Sequence, residues 1–435
     1  MFIKDLLFTF LITIMTGSQN QPREFDAIRG GDVPPSLGAV LGGVEGVKQR
    51  LASSDIETRV TALSRALSYG DAGLNLVIKA LDDNSAKVRK VAVRLLKDID
   101  NSQVKAALNE YKFWTIFEKY YEIPDNHATT FANRKVIEFD PDIGITETVD
   151  TAYALRVVPG EGDYINSVMP SVDKLQLLLQ SYFANQVEAL VFGFWYTTYF
   201  EYHNFCPIID TLLGASEKLT NLKALFLGDI NNAEWGNIHL AYANLSYLLL
   251  AYPQLEILKI RTSYYDKSYN QAFGLEFSPI IHTKLKALTI EGCNISSDIV
   301  EEIFKLELPN LEYLELWFGT DRCDIYGYMH KFHIAFPKLK YLGLRKYYHI
   351  DPGNIAFTIK DSLKIENLIE LDLSMGQIQD DGAKALLNCS KLHQLDTLNI
   401  SYNCLTNEMV EELNKLDIEV IADKQDPYRY WSAYE

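Results

Sequence analysis

Leu395-Asp396-Thr397-Leu398-Asn399-Ile400-Ser401-Tyr402-Asn403-Cys404-Leu405 places apolar residues at 395, 398, 400 and 405 and a polar Asn at 403. Its opening sextet, Leu-x-x-Leu-x-Leu/Ile, recurs upstream. The copies are Leu222-Leu225-Leu227, Leu255-Leu258-Ile260, Leu285-Leu288-Ile290, Leu311-Leu314-Leu316, Leu339-Leu342-Leu344 and Leu368-Leu371-Leu373, with a degenerate Val187-Leu190-Phe192 ahead of them. Successive first positions lie 35, 33, 30, 26, 28, 29 and 27 residues apart. Side chains alternate along a strand, so the repeated leucines face one way and the residues between them the other.

A fixed period with this residue pattern is the signature of a leucine-rich-repeat solenoid. The expected fold is α/β: a horseshoe of about eight repeats over 186–424, with a parallel concave sheet and convex helices. Ser297 to Lys305, Asp380 to Leu387 and Thr406 to Leu416 read as amphipathic returns, with Ser297, Asp380 and Thr406 or Asn407 as caps. Strand plus helix in 26–29 residues resembles the ribonuclease-inhibitor-like geometry, best over 367–416. Asn403 and Cys293 occupy the ladder position that bonds turning backbone. Ile230, Ser263, Gly319, Tyr347 and Gly376 stand there in other repeats, so those turns are expected to be irregular. Cys293 and Cys404 read as buried structural thiols.

Residues 1–22 form an apolar leader or a spurious extension. Leu6 to Ile14 is too short to span a bilayer. Lys4 is cancelled by Asp5, which argues against a signal peptide and favours a start at Met15. Segment 20–43 is a Gly/Pro-rich linker. Beyond it, Val47, Leu51, Arg59, Ala62, Leu63 and Ala66 match Val77, Leu81, Arg89, Ala92, Val93 and Leu96 at an offset of thirty. Polar turns at Ser53-Ser54-Asp55 and Asp82-Asp83-Asn84-Ser85 break each copy into two helices. Arg59 and Arg89 begin the second helix of each pair, where they reach a neighbouring carbonyl or aspartate.

Residues 23–112 therefore resemble HEAT-like repeats, a short α-solenoid of the kind found in cyanobacterial multidomain proteins. Over 115–424 the chain resembles a bacterial leucine-rich-repeat family of unknown function, sometimes joined to WGR domains. That resemblance rests on Phe131-Ala132-Asn133, Leu225-Phe226-Leu227-Gly228-Asp229, Leu314-Glu315-Leu316-Trp317 and Tyr341-Leu342-Gly343-Leu344-Arg345. Residues 113–185 are expected to connect the parts and cap the first repeat, with a strand over Ala152–Val158 and a helix over Val172–Phe183. Residues 425–435 form an aromatic tail.

Charge and cysteines bound the partners. The net charge is −17; residues 23–112 hold 14 basic and 12 acidic residues and 1–22 one of each, so 113–435 hold 26 basic and 45 acidic, or −19. Such a surface disfavours nucleic acid, because phosphate binding needs Lys/Arg neutralisation. A protein partner of basic or mixed surface fits better. Five scattered cysteines without a Cys-x-x-Cys pair read as reduced thiols of a cytoplasmic protein, export being the alternative if 1–18 is a signal. The basic cluster Lys87, Arg89, Lys90, Arg94 and Lys97 reads as a solvated face or a contact for an acidic surface.

The outward positions are Phe226, Lys259, Arg261, Thr289, Glu291, Tyr313, Glu315, Trp317, Tyr341, Arg345, Asp372, Ser374, Asn399 and Ser401. Tyr313 should stack beside Tyr341 and Trp317 beside Arg345. Trp, Tyr and Arg dominate binding hot spots. The candidate protein-binding residues are accordingly Lys259, Arg261, Tyr313, Glu315, Trp317, Tyr341, Arg345 and Asp372. The competing reading is that flanking side chains or a loop cover Trp317. Ala189, Gly193, Ala224 and Gly228 are small, which lets the N-terminal segment close over the early repeats.

No nucleotide loop, Gly-x-Ser-x-Gly elbow or His-Glu-x-x-His helix is present in the sequence. Cys323, His330 and His333 lack a fourth ligand for zinc and read as loop residues. Pro159-Gly160-Glu161-Gly162 and Asp140-Pro141-Asp142 read as turns. No enzymatic activity and no cofactor are expected. The function read from the sequence is a non-enzymatic scaffold or adaptor using the concave face. The alternative is a chromophore-attachment factor, because the HEAT-like part resembles that of phycobilin lyases.

Overall fold

The computed structural model describes residues 43–122, 124–157, 169–193, 206–234, 243–262, 275–292, 295–318, 323, 325–347, 354–363 and 367–427. The leader, the linker before 43, Pro159–Gly162, Ser263, Cys293, Gly319 and the tail beyond 427 lie outside them. The chain divides into two compact units at Phe113/Trp114.

In the first unit the described helices are α1 (Gly43–Leu51), α2 (Ile56–Ala66), α3 (Gly70–Lys79), α4 (Ala86–Leu96) and α5 (Ser102–Tyr111). Asp55 caps α2 by accepting from the Thr58 amide, and Asn101 caps α5 through the Gln103 and Val104 amides. The two arginines in register do related work. Arg59 donates to the Ser53 carbonyl at 2.8 Å and pairs with Asp83 at 3.0 Å. Arg89 donates to the Asp83 carbonyl at 2.8 Å and to the Tyr111 hydroxyl at 3.2 Å. Each staples the turn between helices to its neighbour. In the basic cluster, Arg89 is buried rather than solvated, and Lys87 pairs with Glu57 across the repeat at 2.6 Å.

The second unit is built on a twelve-stranded sheet. Its members in order are β1 (Thr130–Phe131), β2 (Arg134–Glu138), β3 (Thr151–Leu155), β4 (Ala189–Phe192), β5 (Ala224–Leu227), β7 (Ile257–Thr262), β9 (Ala287–Gly292), β10 (Tyr313–Trp317), β11 (Tyr341–Arg345), β12 (Glu370–Asp372), β13 (Thr397–Asn399) and β14 (Glu419–Ile421). β6 (Ala243–Asn244) pairs separately with β8 (Leu275–Glu276). Every pairing is parallel except β1 with β2. The eight sextets fall on β4, β5, β7 and β9 to β13, with their second leucines in register: Leu225, Leu258, Leu288, Leu314, Leu342, Leu371 and Leu398 face one another in turn. The ladder extends past the sextets through β2, β3 and β14. The 113–185 stretch thus adds strands to the sheet besides the helix α6 (Ser171–Leu178).

Return helices α7 (Cys206–Gly214), α8 (Ser246–Ala251), α9 (Ser297–Ile303), α10 (Phe332–Ala335), α11 (Asn354–Ser362), α12 (Asp380–Leu387) and α13 (Asn407–Leu413) carry the chain back between strands. Their apolar residues and the sextet leucines form one continuous cluster from Phe139 to Ile418. Two expected caps move. Ser296, not Ser297, caps α9 through the Ile299 amide. Asp380 leaves the cap of α12 and instead accepts from the Thr406 amide and hydroxyl, while Thr406 caps α13. Repeat-to-repeat bonding wins over local capping there.

The ladder position of the last sextet shows why Asn is used. The Asn403 side-chain amide donates to the Leu373 carbonyl at 3.0 Å and the Ile400 carbonyl at 2.9 Å, and its oxygen accepts from the Ile378 amide at 2.9 Å. All are buried backbone groups, which need a hydrogen-bond partner. Gly376 makes room, since a Cβ there would stand 2.8 Å from the Asn403 oxygen. Asn403→Ala strands these groups and should lower unfolding free energy by roughly 2–3 kcal/mol. Denaturant unfolding followed by sheet-unit fluorescence checks this; a change below about 0.5 kcal/mol would remove the ladder's role.

Cys323, Cys389 and Cys404 are buried thiols. No group of His, Cys, Asp and Glu among the described residues could hold a metal ion, and no described helix is long and apolar enough to cross a membrane. Asp140 begins a tight turn, its carboxylate accepting from the Asp142 amide at 2.9 Å.

Candidate interaction face

The alternation that sends the sextet leucines into the core brings all eight candidate residues onto the opposite face of β7 to β12. Tyr313 stacks on Tyr341 with centroids 4.1 Å apart, and the Arg345 guanidinium lies 4.7 Å over the Trp317 ring. Both neighbour pairs follow from strand register.

These side chains form two ionic clusters. Glu315 accepts from Arg345 at 2.9 Å and from the Trp317 indole at 2.5 Å, and also bonds the hydroxyls of Tyr313 and Tyr341. Arg345 continues to Ser374 at 2.9 Å and approaches Asp372 at 3.7 Å. Asp372 accepts from Tyr341 at 3.0 Å and from Asn399 at 2.9 Å. On the other side Glu291 bridges Lys259 and Arg261, both at 2.7 Å. Burial pushes the Glu315 carboxyl up, but Arg345 and the Tyr313 and Trp317 donors outweigh it and hold its pKa at about 2. Glu291 is likewise held below its ordinary value despite burial, by Arg261 and Lys259.

An accessible Trp317 is not what the structure shows. Seven of the eight residues are buried, Trp317 at 2% exposure and Arg345 at 1%. Only Lys259 keeps partial exposure, 15% of its side chain. The cover is the chain's own segment 114–121, Trp114-Thr115-Ile116-Phe117-Glu118-Lys119-Tyr120-Tyr121. The Trp114 indole is fully buried, donates to Glu370 at 2.9 Å and lies 5.9 Å from the Tyr341 ring. Phe117 meets Tyr313 edge-on at 5.0 Å. Lys119 pairs with Glu370, lies 3.9 Å from Asp372 and stands 5.0 Å over Tyr341. Burial alone would lower the Lys119 pKa; Glu370 and Asp372 raise it, so the lysine stays charged. The Tyr120 carbonyl accepts from Arg345, and its ring lies under Arg261. Tyr121 stacks on Tyr402 at 4.6 Å and meets Asn399 at 3.2 Å.

A second stretch roofs the early strands. Phe131 and Ala132 pack with Ala152, Ala154, Ala189, Val191, Ala224 and Phe226, so the small outward residues do admit the N-terminal segment. It is pinned at Asp229, which accepts from the Ala128 amide at 3.1 Å and from Arg156 at 2.9 and 2.5 Å. Gly193 is required beneath Arg156, where a Cβ would come within 2.5 Å of its Cγ. A cavity of about 40 Å³ remains between the two covers, bordered by Phe117, Tyr120, Phe131, Lys259, Glu291 and Glu315.

Sequence reasoning missed Glu370, Trp114, Lys119, Asp229 and Arg156. Glu370 was legible, since it stands in register with Tyr341. The aromatic run at 113–121 was a signal that no periodicity explained.

The Leucine Rich repeat family model matches residues 364–387, which hold β12 and α12. Among solved structures, a protein from Bacteroides fragilis is similar at 26% identity with a TM-score of 0.52, covering 62% of this chain and 75% of its own. An internalin from Listeria monocytogenes matches at 16% identity and a TM-score of 0.23, covering 58% and 83%. Yeast Rad7 in complex with Elc1 gives 11% and 0.30, covering 85% and 98%. No curated protein matches the chain. The repeat match and the parallel sheet together support a leucine-rich-repeat domain.

Proposed function

We propose that the chain is a non-enzymatic protein-binding scaffold or adaptor whose contact surface is the face of β7 to β12 bearing Lys259, Arg261, Tyr313, Glu315, Trp317, Tyr341, Arg345 and Asp372. One observation carries this reading. That face already holds the chain's own residues 114–121, through indole, ammonium and phenol contacts on five strands, β7 and β10 to β13. The buried aromatic and arginine side chains are the types that concentrate binding energy. Repeat folds present such surfaces to other proteins as a rule, and fold alone assigns no chemistry. The helical unit, with its HEAT-like repeated pairs, serves as a second contact or as an end support in this reading. The acidic charge of residues 113–435 favours a basic or mixed protein partner over nucleic acid.

A photo-crosslinking residue at Lys259, which borders the cavity, should capture host proteins, whereas one at the exposed Tyr247 on α8 should not. Capture at Tyr247 and none at Lys259 would move the contact off this face and overturn the assignment.

A further inference from the structure

We infer that residues 114–121 act as an internal stand-in for the partner, and that the partner is a protein segment of the same chemistry: a buried indole followed five residues later by a lysine, then tyrosines. This rests on the reading of the sheet face as a protein-binding surface and specifies what it takes.

The argument begins with what the cover buries. The other face of the strands packs the sextet leucines into a continuous hydrophobic cluster, whereas beneath 114–121 lie four carboxylates (Glu291, Glu315, Glu370, Asp372) and three cations (Lys259, Arg261, Arg345). A cover serving only as core would be met by apolar side chains, because buried ion pairs gain little over hydrophobic packing of the same volume. Charged, hydrogen-bonded contacts instead select one ligand and reject others.

The charge count shows what the ligand supplies. Arg345 satisfies Glu315, and Lys259 and Arg261 satisfy Glu291, but the Glu370 and Asp372 end is completed by Lys119. The uncovered face is short of one positive charge at a fixed place. Beside that place, the Glu370 carboxylate and the Tyr313 and Tyr341 rings receive the Trp114 indole. Indole and ammonium are recognised together. Arg345 donating to the Tyr120 carbonyl fixes the direction of the bound chain. Because 114–121 is tethered, it competes at high effective concentration, and a partner gains access when it offers this pattern with further contacts.

The test uses a fluorescent peptide of residues 112–123 titrated into the full chain and into the full chain carrying Trp114→Ala and Lys119→Ala. The released variant should bind the peptide at least about tenfold more tightly than the unsubstituted chain. A peptide with Lys119→Glu should not bind. A released variant that keeps its circular dichroism spectrum yet fails to bind the peptide would overturn the inference. Hydrogen exchange on the unsubstituted chain gives a second reading: amides of 114–121 should exchange before those of β10 and β11, and equal protection would make the segment a permanent part of the sheet unit. Doubling of mass in light scattering, with straps exchanged between copies, would assign the face to a second copy and overturn the partner. The crosslinking experiment above reports on the function and this titration on the strap, so each can fail alone.

Discussion

Glu315→Ala should destabilise the sheet unit by roughly 3–5 kcal/mol, the cost of leaving a buried cation without its anion. Glu315 is 3% exposed and is the common acceptor for Arg345, Trp317, Tyr313 and Tyr341. Removing it leaves Arg345 buried, with Asp372 no nearer than 3.7 Å. The charge matters more than the contact area. Adding Arg345→Met to Glu315→Leu should therefore recover part of the loss, because an apolar pair of similar volume costs less than half an ion pair. The same pair sets an acid limit. The folded carboxyl has a pKa of about 2 against an ordinary 4.5, so its stabilisation is complete above 4.5 and is lost as pH falls from there through about 2. Chemical denaturation between pH 2 and pH 6 should show a steeper acid loss for the unsubstituted chain than for the Leu/Met double variant. Parallel pH profiles, or a single-variant loss below about 1 kcal/mol, would sink the account.

The fold was legible because it is periodic. Leu314 and Leu342 pair because each sextet makes the same strand, and one period predicts both the strand and the core it faces. Outward register followed from the same alternation, which is why Tyr313 and Tyr341, or Trp317 and Arg345, could be placed together. What covers them was not legible. Trp114 bonds Glu370 across a separation of 256 residues, and nothing periodic ties the two. Its segment opens in a short 3-10 helix, Phe113–Ile116, and runs on without regular structure, so neither strand alternation nor helical spacing marks it in the sequence. The ladder position was legible only in part. Tyr347 replaces Asn at that position, and its hydroxyl donates to the Cys323 carbonyl at 3.0 Å, a buried backbone bond made by a different side chain. Local substitution rules do not reveal such exchanges. The early strands were half legible: small residues at 189, 193, 224 and 228 announced a close approach, but not that Arg156 and Asp229 would hold it.

That buried pair is where the largest effect outside the central strands is expected. Asp229 is fully buried and Arg156 nearly so, and between them they hold the backbone of Ala128 at both its amide and its carbonyl. The neighbouring turn is crowded as well. Gly228 adopts φ +91°, and a Cβ there would stand 1.9 Å from the Arg261 carbonyl, so β5 and β7 approach too closely to leave space for adjustment. Asp229→Ala leaves Arg156 only the more distant Glu138 carboxylate at 3.5 Å and takes the acceptor from the Ala128 amide, and should cost roughly 3 kcal/mol, the low end for breaking a buried pair. Asp229→Asn keeps acceptors for both and should cost less, about 1–3 kcal/mol for exchanging a charged bond for a neutral one. The effect should also be regional. Hydrogen exchange of residues 124–132 should rise steeply in Asp229→Ala while β11 to β13 keep their protection, since those strands take their cover from 114–121. Uniform acceleration across the sheet would mean that the two covers open as one. Strap release would then expose the early strands as well, and a partner entering at Glu370 would loosen Phe131 from Phe226, a ring contact of 5.6 Å. Separate opening keeps the Phe131 roof as a fixed wall beside the exchangeable strap, which the anchoring at Asp229 favours.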